Sequence, residues 1–347
     1  MQSATPSVWS RSPPGRRNRI TNSSRKVHPM PDRFFYHSFP RRGANSELEI
    51  DKGCSILASM RDLGLGLIPE FIEWRQPLPG GQARLFPKVQ QRACFTELEP
   101  AELPMHAERF GRFALEFDEI TMREMGGVPV FYIPQPASES GGSQLGALLL
   151  SVTSDAQTLA NRIRSVAEII GGPERSQKVD VTTSFTLSPE TAKTFRIDKN
   201  EAQVVFDMLG NALTPWDQLE HGLGFLLNMF YPADDIARGR PLDYYRQREW
   251  RIGASFAVGG KNVMRSVAKE EEAVFIAIDP DFFLRPVRRG FEEARVIDRT
   301  IVMPSLDGIP FLQLARRIIA PADAIDRVRE LVTADAPDLE VVALEAL

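Results

Sequence analysis

The run Asp243-Tyr244-Tyr245-Arg246-Gln247-Arg248-Glu249-Trp250-Arg251-Ile252 interleaves aromatic and apolar residues with charges. A repeat of two is the pattern of a half-buried strand, so the chain has to build a sheet with one wet and one dry side. On such a strand Tyr245, Gln247, Glu249 and Arg251 take one face; Tyr244, Arg246, Arg248, Trp250 and Ile252 take the other. Glu249 is expected to point away from the arginines that flank it in sequence. A carboxylate held on a rigid strand is one way to fix a charge in a cleft. A surface strand with a solvated charged face gives the same pattern, and both readings stay open at this level.

The rest of the chain alternates short strands and helices. Arg33-Phe34-Phe35-Tyr36-His37-Ser38-Phe39 reads as an aromatic strand. Residues 48–65 read as a helix with Ile50, Cys54, Leu57, Ala58 and Arg61 on its inner stripe, ended by Gly64 and Gly66. Residues 76–88, rich in Pro and Gly, read as a loop. Strands are expected at 92–96, 112–117, 128–133, 273–278, 301–304, 316–320 and 339–344. Helices are expected at 99–108, with Pro100 near the first turn, at 121–125, and at 322–332 after Pro321. A linker at 134–143 leads to helical stretches at 144–170 and 201–230, with a small strand pair at 179–186 and 194–197 between them. The fold class is therefore α+β: a mixed or antiparallel sheet with flanking helices and a helical insertion at about 140–235.

Residues 1–32 carry Arg11, Arg16, Arg17, Arg19, Arg25 and Lys26 against Asp32, a net of +5 within a chain of formal charge −4. This Ser-, Pro- and Arg-rich stretch has too little apolar surface to offset its chain entropy, and reads as a disordered basic leader. A start at Met30 is the alternative. The remaining residues, 33–347, are expected to form one domain and carry −9, which argues against a general nucleic-acid binder; only the leader suggests such a partner. Two cysteines, Cys54 and Cys94, are too few for a disulfide framework. No apolar run reaches the ~20 residues of a membrane span. A cytoplasmic protein fits these features.

Fingerprints of common chemistries do not appear. The four histidines, His28, His37, His106 and His221, lack metal-ligand spacing, so no metal is expected. There is no GxxxxGK[ST], GxGxxG or GxSxG. His37 ends the first strand, where an imidazole could bond a ribose hydroxyl or a backbone carbonyl. Gly111, after Arg109-Phe110, permits a close approach that a side chain would forbid. The phenylalanines nearby, Phe110, Phe113 and Phe117, suit a core better than a stacking platform.

Three blocks in order resemble the AbiGi family of abortive-infection proteins, phage-resistance antitoxins of bacteria. They are His37-Ser38-Phe39 with Leu63-Gly64-Leu65-Gly66; Ala93-Cys94-Phe95-Thr96-Glu97-Leu98 with His106 to Phe117 and Gly127 to Ile133; and Tyr244 to Arg251. The likeness covers about residues 33–133 and 240–255. It implies a partner, a cognate toxin protein. The chain is also remotely similar to ADP-ribosyltransferases. That likeness implies NAD as cofactor, His37 on the nicotinamide ribose, Phe110 as the aromatic near the ring, Gly111 and Tyr245 completing the cofactor contacts, and Glu249 as the catalytic acid. Phe110 stands where a tyrosine is common. Three readings follow: an antitoxin that binds, an NAD-consuming transferase, or an inactive nucleotide-binding relative. Whether the chain is an enzyme stays open.

Overall fold

Alternating aromatic and polar residues at Phe34–Phe39 (β1) and a fully buried run at Phe113–Phe117 (β4) form the middle of a ten-stranded sheet. In the computed structural model the described residues are 33–41, 46–77, 83–133, 244–254, 263–288 and 291–347, with short pieces between 149 and 233. All belong to one unit, Arg33–Leu347. The expected leader and the 134–143 linker lie outside the described residues. So does most of the helical insertion, although the pieces at 152–153, 155–160 and 222–224 are helical.

The remaining strands are β2 (Leu65–Pro77), β3 (Ala83–Leu98), β5 (Val128–Pro129), β6 (Phe131–Ile133), β7 (Thr183–Phe185), β8 (Lys193–Phe195), β9 (Phe230–Pro232), β10 (Glu249–Gly253), β11 (Arg265–Ser266), β12 (Pro286–Arg288), β13 (Phe291–Arg295), β14 (Ile301–Met303), β15 (Ser305–Leu306), β16 (Ile309–Pro310), β17 (Arg317–Ala320) and β18 (Glu340–Ala343). Besides the helical pieces named above, the helices among the described residues are α1 (Ser46–Leu63), α2 (Leu103–Phe110), α3 (Glu119–Glu124), α4 (Glu272–Ile278), α5 (Pro280–Phe283) and α6 (Ile325–Val332). The large sheet runs β11-β14-β2-β3-β1-β4-β17-β18, with β10 on β3 and β5 on β10. Its pairings are antiparallel except β17 with β18. The α+β class holds.

Strand β3 organises the centre. Arg92 pairs with both Ile68 and Gly253, and Thr96 with both Tyr36 and Glu249. A strand residue has only two edges, so β10 takes one edge of β3 while β2 and β1 follow each other along the other. Neither of those two ladders includes Cys94. Residues paired in register share a face. Phe35, His37, Phe39, Phe95, Trp250 and Leu115 therefore point one way, and Tyr36, Thr96, Glu116, Glu249 and Arg251 the other.

The first face is the main core. Its aromatics pack with Cys54, Leu57 and Met60 of α1 and Val328 and Val332 of α6. Each fully buried side chain of this kind contributes about 1.5–3 kcal/mol. Of the expected stripe, Cys54 and Leu57 are buried one helical turn apart, while Ile50, Ala58 and Arg61 are only half-buried and Met60, which the stripe left out, joins the core. The helix ends at Gly64, whose N–H bonds the Met60 carbonyl at 3.1 Å and whose φ of +97° favours glycine. The second face is covered in part by α2, where Leu103 and Ala107 meet Tyr36, Ala114 and Ile319.

Several expectations need correction. Residues 76–88 are not a loop throughout: β2 and β3 form a long hairpin with Pro77 opposite Ala83. The Pro and Gly content hid it, yet Pro69, Pro77 and Pro87 all sit at odd positions. Outward backbone groups there are shown by the Gln91 carbonyl, which accepts from Ala254 N–H beyond the hairpin. A proline at such a position removes no bond between the paired strands. Residues 273–278 are helical rather than extended. Phe275 alone of that run is fully buried, against Leu63, Phe283 and Val302, while Val274 is exposed. The helix start is held by Glu271, which accepts from the Ala268 N–H at 2.9 Å and from Arg265. A short apolar run does not discriminate between the two periods by itself. The strand pair expected around 179–197 is present as β7 and β8.

Candidate functional site

Direct pairing lays a polar row across the second face: Glu249 opposite Thr96, Thr96 opposite Tyr36, Tyr36 opposite Glu116, and Glu116 opposite Arg317. Beside it lie Arg251, Cys94, Arg92 and Gln90. Most of these groups are buried, with Arg251 at 0% exposure and Glu249 at 8%. Buried charge is tolerated only when paired and hydrogen-bonded, so each group's partner matters.

Glu249 is paired on both oxygens. Arg251 Nε donates to Oε1 at 2.7 Å, and the Tyr132 hydroxyl donates to Oε2 at 3.2 Å. Arg251 Nη1 also donates to Gln90 Oε1 at 3.4 Å, and its guanidinium lies 4.3 Å from the Tyr231 ring centroid. Arg92 donates to Gln90 and to Glu70, and stacks on the same tyrosine at 4.8 Å. Two arginines thus balance two glutamates. Burial alone would raise the Glu249 carboxyl, but Arg251, Arg92 and the Cys94 thiol together hold it below the ordinary carboxylate value. It is a charged, compensated group. Burial and the Glu249 charge push the Cys94 thiol up to about 11, which makes it a poor nucleophile near neutral pH.

The run that opened the sequence reading is only half strand. Tyr245–Gln247 is a 3-10 turn, and Arg248 sits at φ +48°, so the alternation begins at Glu249. Tyr245 therefore does not continue the Glu249 face. Arg248 is held in its left-handed conformation by its carbonyl, which accepts from Glu97 N–H at 3.2 Å, and by its guanidinium, which reaches both Glu102 oxygens at 2.7 Å. Glu249 points away from Arg248, as expected; the expectation that it avoids both arginines fails at Arg251, which the alternation puts on the same face, two residues along the strand.

His37 does not join Glu249. It faces the main core between Phe39 and Phe95, with ring centroids 5.9 and 5.2 Å away. Its Nδ1 donates to the Cys94 carbonyl at 2.8 Å, where β1 and β2 part along β3. Burial holds its pKa below the usual histidine value despite that bond. The imidazole serves the gap in the sheet. Gly111 likewise serves the backbone: at φ +113° a Cβ would fall 2.1 Å from the Pro40 carbonyl oxygen. The space that a side chain would need is already filled by this chain.

Phe110 reaches the polar face indirectly. Its ring stacks on His106 at 4.3 Å, and His106 Nε2 lies 3.1 Å from Thr96 Oγ1, with Ser38 Oγ 3.4 Å from Nδ1. His106 is thus the histidine on the Glu249 side. Burial, with Arg109 and Arg248, pushes its pKa down to about 4, leaving a neutral imidazole between two hydroxyls. The signal was the His106–Phe110 spacing of four, which stacks side chains on a helix. Gln90, Arg92 and Tyr231 carried no comparable local signal.

Two surface cavities of about 380 and 300 Å³ lie elsewhere, one bordered by Arg265, Ser305 and Asp307, the other by Arg61, Gln313 and Asp335. Neither includes a residue of the polar row. Among the described residues no three His, Cys, Asp or Glu side chains are grouped to hold a metal ion. No helix among them is long and apolar enough to cross a membrane. No family model, curated protein or solved structure matches the chain.

Proposed function

We propose that this chain is a bacterial phage-defence protein of the AbiGi type that acts by binding, as the antitoxin that masks a toxin protein in an abortive-infection pair. The ordered likeness of the His37, Cys94–Phe117 and Tyr244–Arg251 blocks motivates the family. One observation favours binding over NAD-dependent transfer. His37 and Glu249, the two groups that would grip a nicotinamide ribose, face opposite sides of the sheet and are each committed to internal partners. A transferase needs its carboxylate free to meet charge that develops on the substrate. Here that charge is already balanced by Arg251.

The test is co-expression of the full chain with the toxic product of a neighbouring gene. Growth rescue and co-purification of the two proteins are the expected results. Rescue that requires NAD turnover by this chain, or no binding to any neighbouring product, would overturn the reading.

A further inference from the structure

The smaller surface cavity, about 300 Å³, opens where two helices end. Arg61 and Asp62 lie in the last turn of α1, which stops at Leu63; Asp335 and Ala336 follow α6, which stops at Val332. Pro310, Leu312 and Gln313 complete the wall. All of these residues lie well inside the described stretches 46–77 and 291–347. Arg61 is already committed. Its Nε and Nη2 donate to the Asp62 carboxylate at 2.6 and 3.1 Å, and its Nη1 donates to the Leu331 carbonyl at 3.0 Å. Asp335 meets it loosely, 3.6 Å from Nε, with a side chain 59% exposed. Two carboxylates against one guanidinium leave a local charge of −1. The last carbonyls of α1 and α6 add partial negative charge. Gln313 Nε2 donates to the Asp335 carbonyl at 2.7 Å, which leaves the amide oxygen as an acceptor. Leu312 and Ala336 are buried and form, with Pro310, the apolar part of the lining.

We propose that this cavity docks an arginine side chain of a protein partner, with its methylene stem on Pro310, Leu312 and Ala336 and its guanidinium against Asp335 and the Gln313 oxygen. The lining matches such a side chain in both respects: acceptors and negative charge for the head, apolar surface for the stem. An anion is disfavoured, because Asp62 and the Leu331 carbonyl occupy Arg61 while Asp335 repels negative charge. The volume lies at the lower end of the ~300–1,000 Å³ of small-molecule clefts, which suits one side chain better than a cofactor. Arginine is also enriched among the residues that anchor interfaces in pockets. The inference rests on neither the antitoxin reading nor the polar row.

Methyl NMR spectra of the full chain with labelled leucine and alanine test it, because Leu312 and Ala336 report from the cavity lining. The probes are n-butylguanidinium, a capped Gly-Arg-Gly peptide and butyrate. Both guanidinium probes are expected to shift Leu312 and Ala336 saturably, with a dissociation constant on the order of 1–10 mM. Butyrate is expected to shift neither. Asp335→Asn is expected to weaken guanidinium binding about threefold or more. The Asp335 side chain is more than half exposed, so the variant keeps the fold. The proposal is overturned by the lack of a saturable shift, by butyrate binding as tightly as n-butylguanidinium, or by unchanged affinity in Asp335→Asn. Binding of n-butylguanidinium without binding of the peptide also overturns it.

Discussion

Removing one member of the Glu249–Arg251 pair should cost far more than removing both. The bond is 2.7 Å long, with side chains 0% and 9% exposed, so screening by water is slight. In Glu249→Leu the guanidinium of Arg251 stays buried without its carboxylate, and Tyr132 loses its acceptor. A charge stranded in this way typically costs about 3–5 kcal/mol. Arg251→Met strands Glu249 and should cost a similar amount, about 3–5 kcal/mol, on the same grounds. The double replacement leaves no buried charge at the pair, only the weakened bonds of Tyr132 and Gln90, each worth about 1 kcal/mol. Urea unfolding of the four proteins at pH 7 gives the coupling energy directly, and it should be at least ~2 kcal/mol. A coupling below about 0.5 kcal/mol, the range of independent sites, would refute the claim that these two charges hold each other.

Other perturbations probe the same face. His106 has a folded pKa near 4, below its unfolded value of 6.5. The unfolded chain therefore binds the proton first, and the stability His106 contributes is present above pH 6.5 and lost as pH falls toward 4, up to about 3 kcal/mol. Urea midpoints measured from pH 7 to 4 should fall, and His106→Gln should flatten part of that slope. The depressed Glu249 carboxyl adds a further loss only below the ordinary Glu range, as pH falls through its folded pKa. Tyr36→Phe removes a buried 2.7 Å bond to Glu116 and should lower stability by about 1–3 kcal/mol, read as a fall in thermal midpoint. Gly111→Ala forces a Cβ against the Pro40 carbonyl at positive φ and should cost more than ~2 kcal/mol, with little effect if Pro40 moves freely.

How much of this was legible depended on whether the cause was local. The strand at Glu249–Gly253 and the Cys54 and Leu57 part of the α1 stripe follow from periodicity, and the Gly64 stop follows from backbone conformation. The polar row does not, because it exists only once β10, β3, β1, β4 and β17 are in register. His37 was misplaced for a related reason: its neighbours alternate correctly, but sequence cannot say which face of β1 meets the core. The Arg248 left-handed turn was hidden inside an apparently continuous alternation. Gln90 and Arg92 follow directly on the stretch that prolines disguised as a loop.

The central claim is that the Glu249 carboxylate is a structural charge, fully used inside the protein. Following nicotinamide release from NAD by the wild-type chain tests it most directly. The account predicts release no faster than in buffer; release that disappears in a folded Glu249→Gln variant would contradict it.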